Sequence, residues 1–189
     1  WQVLGITVEA AGKDHFSAGG SHDLSSAISE QVFGYPAPFG FLYEWFLTKR
    51  GSKMSSSKGI GISAQEAAEV LPPEVLRFLL VRVSYKKAIS FDLMRSDTIP
   101  DLFDDYDRCA QDFFKKGKKS DLGRIFELSQ IKGLAKSDLF LPRFRDVANY
   151  LQMPGLDLKE KFSQIKGKKL TKAELAVLKE RLVYARIWL

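Results

Sequence analysis

The sequence has one cysteine, Cys109, two histidines and no long apolar run. A single thiol makes no internal disulfide, and two histidines with one cysteine do not supply the Cys/His cluster of a structural zinc site, so no metal site is expected. A membrane-spanning helix needs ~20 consecutive apolar residues, and no stretch approaches that. No secretory pattern opens the chain, and no internal repeat runs through it. These absences predict a cytoplasmic setting with reducing conditions and no membrane contact. What is present is the composition of a folded protein. The 189 residues are 45% hydrophobic and 28% charged, enough for one core or a core with a helical appendage.

The net charge of +6 is unevenly spread. Residues 1–114 hold 11 Lys and Arg against 15 Asp and Glu, whereas residues 115–189 hold 18 against 8. A basic second part suits a polyanionic partner. Lysine-rich helices facing solvent would have the same composition.

The local patterns predict α/β structure to about residue 62 and helices thereafter. Residues 2–9 read as a strand. A loop of small residues follows, then a helix over 24–33 with Asp23 as N-cap and Gly34 as its stop. The run from Phe41 to Leu47 is nearly all apolar, as in a strand buried on both faces. Residues 49–59 form a polar loop. Ser63 and Glu66 make a capping box for a helix to about Val70, and Pro73 suits the first position of the next, over 74–83. A helical face recurs from Asp97 to Lys116. Further helices are expected over 143–151 and from Thr171, where Glu174 completes a second capping box. In that last helix Leu175, Leu178, Leu182 and Ala185 line one stripe. Strand, helix and buried strand in succession predict part of a parallel, doubly wound sheet.

The most informative segment is Lys53-Met54-Ser55-Ser56-Ser57-Lys58-Gly59. Two ammonium groups, three hydroxyls and a glycine on one loop can close over a triphosphate. The lysines would meet charge that develops on departing pyrophosphate, and the hydroxyls and backbone N–H groups would bond its oxygens. A Ser/Lys linker has the same composition. A second segment, Gly12-Lys13-Asp14-His15, pairs a residue without a side chain with a carboxylate and an imidazole. On its own it reads equally as a surface turn. Tyr43 lies among Phe41, Trp45 and Phe46 and suits core packing. Glu44 is a charge within an apolar run and needs a cationic partner, for which a substrate ammonium is one candidate and an internal Lys or Arg the simpler one.

In this order, the loop resembles the KMSKS signature of class I aminoacyl-tRNA synthetases. Its Lys-Met-Ser-Ser-Ser form is similar to that of the class I lysyl-tRNA synthetases, the archaeal and bacterial variety. It departs from the common signature in having Ser56 where the second lysine usually stands, with Lys58 two residues later. Gly12, Asp14 and His15 resemble that class's GxDH element, and Gly19-Gly20-Ser21 continue the likeness. So do Pro72 to Phe78, Ser90 to Asp92, and Ile99-Pro100. The resemblance covers about residues 1–114. It implies a partial Rossmann-like (HUP-type) parallel sheet followed by a helical tRNA-contacting region. Its expected parts are the C-terminal half of the catalytic domain over 1–62, a helical stem-contact region over 63–114, and a basic tRNA- or anticodon-binding region over 115–189. The implied substrates are lysine, ATP with Mg²⁺, and tRNA(Lys). It further implies catalytic roles for Lys53, Ser55, Ser56, Ser57 and Lys58. ATP would be held by Gly12, Asp14, Lys53, Met54 and Lys58, and the lysine substrate by His15 and Tyr43.

Neither histidine lies in a His-Ile-Gly-His element, the second ATP signature of the class. The sequence opens at Trp1 on a strand-like run and stops inside a helical pattern, so the expectation is a piece of a longer synthetase, inactive alone. Rival readings are a class I enzyme for another amino acid, a non-catalytic tRNA-binding chain, and a small nucleotidyltransferase of related fold.

Overall fold

The structure, a computed structural model, describes residues 1–48, 51–54, 61–91, 97–134 and 138–189. They fall into two compact units, Trp1–Gly61 with Val83–Phe91, and Ile62–Arg82 with Asp92–Leu189. The whole is mixed α/β, with short parallel strands and many helices.

The first unit contains strand β1 (Val8–Gly12), helix α1 (Ser21–Gln31), strands β2 (Phe39–Tyr43) and β3 (Phe46–Leu47), and strand β4 (Ile89–Ser90). β1 and β2 pair in parallel, from Val8 opposite Phe39 to Gly12 opposite Tyr43. Parallel strands need a crossover, and α1 lies within it. The first strand begins later than the apolar run suggests. Gln2–Leu4 form a 3-10 turn closed by Gly5, whose φ of 61° is readily adopted only by glycine. That turn cuts the run in two, and pairing with β2 extends the strand into Ala10, Ala11 and Gly12. Helix α1 starts at Ser21, earlier than the predicted Leu24. Asp23 lies inside its first turn, where its carboxylate accepts the Gly19 N–H at 3.1 Å.

The Phe41–Leu47 run is not one strand buried on both faces. After Tyr43 the chain changes partner: Glu44 N–H bonds to Tyr85 O at 2.9 Å, and Ile89 N–H bonds to Trp45 O at 3.0 Å. β3 then pairs in parallel with β4. The expected sheet is therefore present as two two-stranded pieces. Phe39 is 71% exposed and Tyr43 45%.

The second unit is helical: α2 (Ala64–Val70), α3 (Pro73–Val81), α4 (Thr98–Lys116), α5 (Asp121–Ser129), α6 (Phe144–Leu151), α7 (Leu158–Lys166) and α8 (Lys172–Trp188). Both capping boxes form, Ser63 with Glu66 and Thr171 with Glu174. Pro73 opens α3 as its first residue. Phe78, Leu79, Leu102, Phe103, Phe144, Val147 and Phe162 are buried almost completely, and the Phe103 and Phe144 rings stack with centroids 4.2 Å apart. No helix among the described residues is long and apolar enough to cross a membrane.

Helix α4 carries an acidic face that arginines from later in the chain cover. Arg143 grips Asp104 with two hydrogen bonds of 3.0 and 2.7 Å, and Arg145 reaches Asp104 and Asp101. Arg181 holds both Asp107 oxygens and also donates to Pro142 O. Only 3% of Arg181 is exposed. The stripe of α8 that packs inward is accordingly Glu174, Leu178, Arg181 and Ala185, not the purely aliphatic one, and Leu175 and Leu182 are half-buried. Part of the charge asymmetry between the two parts of the sequence is thus neutralised inside this unit.

Candidate active site

The motif residues meet at one end of the first unit. Gly12 ends β1 directly opposite Tyr43, the last residue of β2. Lys13–Phe16 then form a 3-10 turn that projects Asp14 and His15 from the strand end. A Cβ placed on Gly12 would sit 3.8 Å from the Tyr43 ring and 4.0 Å from His15 Cδ2, which is ordinary contact. Packing within the chain therefore does not demand glycine there. Gly20 differs: a Cβ would lie 2.7 Å from the carbonyl oxygens of His15 and Ser17, so its side chain is excluded by the turn itself. His15 Nδ1 lies 2.7 Å from Ser21 Oγ at the start of α1, which fixes the imidazole orientation.

The start of the signature loop returns to the same place. Gly51 N–H bonds to Thr48 O at 2.9 Å, Lys53 bridges antiparallel to Leu47, and Met54 N–H bonds to Phe46 O at 2.9 Å. This tight reversal brings the Lys53 ammonium onto the Asp14 carboxylate, an ion pair between residues 39 apart in sequence. The pair is accessible, with the two side chains 46% and 50% exposed. The Lys53 hydrogen bond holds the Asp14 carboxyl below the usual carboxylate range. Met54 packs so closely on Gly61 that a Cβ there would come within 2.6 Å of its side chain.

Glu44 finds the internal cation that its place in an apolar run requires. Lys13 Nζ lies 3.0 Å from its Oε1 and 2.8 Å from its Oε2. The Trp45 ring lies beneath both lysines: Lys13 Nζ is 3.9 Å and Lys53 Nζ 4.7 Å from its centroid.

Gly12, Asp14, His15, Tyr43, Lys53 and Met54 thus share one end of the unit, whereas Ser55, Ser56, Ser57 and Lys58 lie outside the described residues. Trp45, Lys13 and Ser21 join them, although Trp45 lies in no motif and Lys13 and Ser21 carry no expected role within theirs. The signal for Trp45 is weak, since an aromatic in an apolar run reads as core. A cavity of about 240 Å³ lies elsewhere, in the helical unit, lined by residues that include Phe103, Tyr106, Phe126 and Glu180. None of the expected catalytic or binding residues lines it, and the charged groups converge instead at the open lysine–carboxylate cluster.

Residues 1–132 match the family described as tRNA synthetases class I (K). The chain belongs to that family. Among the relatives of this class I tRNA synthetase chain, the lysine–tRNA ligase of Methanosarcina barkeri is 32% identical over 191 residues, covering 100% of the chain and 35% of the relative. That of Methanocaldococcus jannaschii is 33% identical over 208 residues, again across the whole chain and 39% of the relative. That of Archaeoglobus fulgidus is 35% identical over 193 residues, with 100% and 36% covered. The chain therefore spans little more than a third of the length of these relatives.

Proposed function

We propose that this chain contributes the signature-loop part of a cytoplasmic, ATP-dependent lysine–tRNA ligase, on the remaining part of a Rossmann-like catalytic domain. What carries the reading is the meeting of two motifs distant in sequence, Gly12-Lys13-Asp14-His15 and Lys53-Met54, through the Asp14–Lys53 pair. In the proposed reaction, the lysine carboxylate attacks the α-phosphorus of ATP and pyrophosphate leaves. Lys53, with Lys58, stabilises the charge that develops on it. Mg²⁺ arrives with the nucleotide as part of the substrate. Asp14 accepts ribose hydroxyls, Gly12 lets backbone and nucleotide approach, and His15 and Tyr43 face the lysine substrate. A ribose hydroxyl of tRNA(Lys) then attacks the adenylate carbonyl, the bond to the phosphate breaks, and AMP leaves as the hydroxyl gives up its proton. The protein's share is positioning and electrostatics, without a covalent nucleophile. Residues 63–114 and 115–189 would meet the tRNA.

A graft tests this. The chain replaces the matching segment of the Methanosarcina barkeri enzyme, and ATP–pyrophosphate exchange is followed with each amino acid. Lysine-dependent exchange is expected, falling about 10²–10³-fold on Lys53→Ala with a smaller loss of ATP affinity. Exchange driven by another amino acid would reassign the substrate. A folded graft that binds tRNA but exchanges nothing would favour the non-catalytic reading. These 189 residues carry no His-Ile-Gly-His element, so the chain alone is expected to exchange at background level.

A further inference from the structure

Lys53 is the signature lysine among the described residues, and an ion pair between half-exposed groups restrains a long, flexible side chain only weakly. A second contact is made by a residue outside both motifs. The Trp45 ring lies 4.7 Å from the same ammonium, and an indole face attracts a cation through its quadrupole. The ring is itself held. Lys13, at 3.9 Å from the centroid, is fixed in turn by both oxygens of Glu44 at 3.0 and 2.8 Å. In a regular strand, neighbours such as Glu44 and Trp45 would face opposite sides. The interruption between β2 and β3 falls at these two residues and lets both reach Lys13.

We propose that Trp45 is the positioning residue of the signature lysine: its indole face and the Asp14 carboxylate together fix the Lys53 ammonium where nucleotide phosphates bind, and the Lys13–Glu44 pair holds the indole. The proposal rests on the ligase reading for the identity of the anion. It assigns Trp45 no contact with substrate. Its effect runs through Lys53, so the two residues must be coupled.

The test uses the 189-residue chain with Trp1→Phe and Trp188→Phe, which leaves Trp45 as its one indole. Lys53→Met is expected to shift Trp45 emission in the free protein, because it removes a charge from the ring face. Inorganic pyrophosphate binding, measured by calorimetry, is expected to weaken roughly 3- to 10-fold in Trp45→Leu and to stay within about twofold in Trp45→Phe, which keeps a ring. In a Lys53→Met background, Trp45→Leu is expected to cause no further loss. Equal losses in the two backgrounds, or emission indifferent to Lys53→Met, would overturn the proposal. If the unaltered chain does not bind pyrophosphate, the ligase reading is decided by the graft, and the emission result decides the role of Trp45 by itself. Lys53→Met and Trp45→Phe keep the test open if Trp45→Leu does not fold.

Discussion

At the scale of single residues, the most consequential buried group is Arg181. Its guanidinium lies 3% exposed and satisfies both oxygens of Asp107, which is itself 8% exposed. Removing one member of such a pair leaves an uncompensated charge in the core. Arg181→Met is expected to destabilise the helical unit by about 3–5 kcal/mol, whereas Arg181→Met with Asp107→Leu should recover much of that loss. Urea unfolding of the two variants checks this. Equal destabilisation by both would mean that Arg181 acts through packing alone. Composition does not announce such a residue. An arginine on a helix of a basic tail reads as solvated, and only the packed fold shows that Asp107, far upstream, needs it.

At the scale of elements, α8 is fastened at its start by Glu174. This residue closes the capping box with Thr171, accepts the Phe140 N–H at 3.0 Å and pairs with Lys166. Burial pushes its carboxyl up, but Lys166 and the two backbone donors outweigh that and hold it at about 2. Folding is therefore favoured by the ionised form. This contribution is complete above the ordinary glutamate value of 4.5 and is lost as pH falls from there through about 2. It amounts to roughly 2–3 kcal/mol at neutral pH. Melting temperatures between pH 2 and pH 7 should fall along that acid limb, and less steeply for Glu174→Gln. Identical limbs would mean that Glu174 has no part in the acid sensitivity. The capping boxes of α2 and α8 are legible in the sequence because their chemistry is local. The helices α5 and α7 are not, although Ser120 and Asp157 cap them. α5 includes Gly123, and α7 is lysine-rich with one fully buried aromatic, Phe162. β1 lies away from its expected place because its residues, Val-Glu-Ala-Ala-Gly, have little strand preference and take that form by pairing with β2. In the site, the motif residues are readable, but the roles of Lys13 and Trp45 depend on segments distant in sequence coming together.

At the scale of the whole molecule, the basic surplus of residues 115–189 shrinks once its ion pairs are drawn. Arg143, Arg145 and Arg181 are engaged with α4, whose carboxylates lie in the first part; Lys166 is held within the tail by Glu174, a pair that leaves the surplus unchanged. Lys115, Lys119, Lys168 and Lys169 stay exposed and have no ion pair with another described residue. On the proposed tRNA-binding role, phosphate contacts should come from this second set. The logarithm of affinity should fall linearly with the logarithm of salt, and Lys168→Ala with Lys169→Ala should reduce that slope by about one unit for each phosphate no longer neutralised. Lys166→Ala should instead lower the melting temperature and leave the slope unchanged. A slope unaltered by the double variant would mean that these lysines face only solvent.

The pairing of Asp107 with Arg181 also sets an order of events during synthesis. Their 74-residue separation takes a ribosome roughly 4–15 s to cross. Through that interval α4 has no counter-charge for the carboxylate it must finally enclose. The helices before it can gather, but sealing this part of the interior waits for α8, so the nascent helical unit passes through a stage with a wet, charged seam. Translation speed along this stretch therefore sets how long that seam stays open to chaperones and proteases.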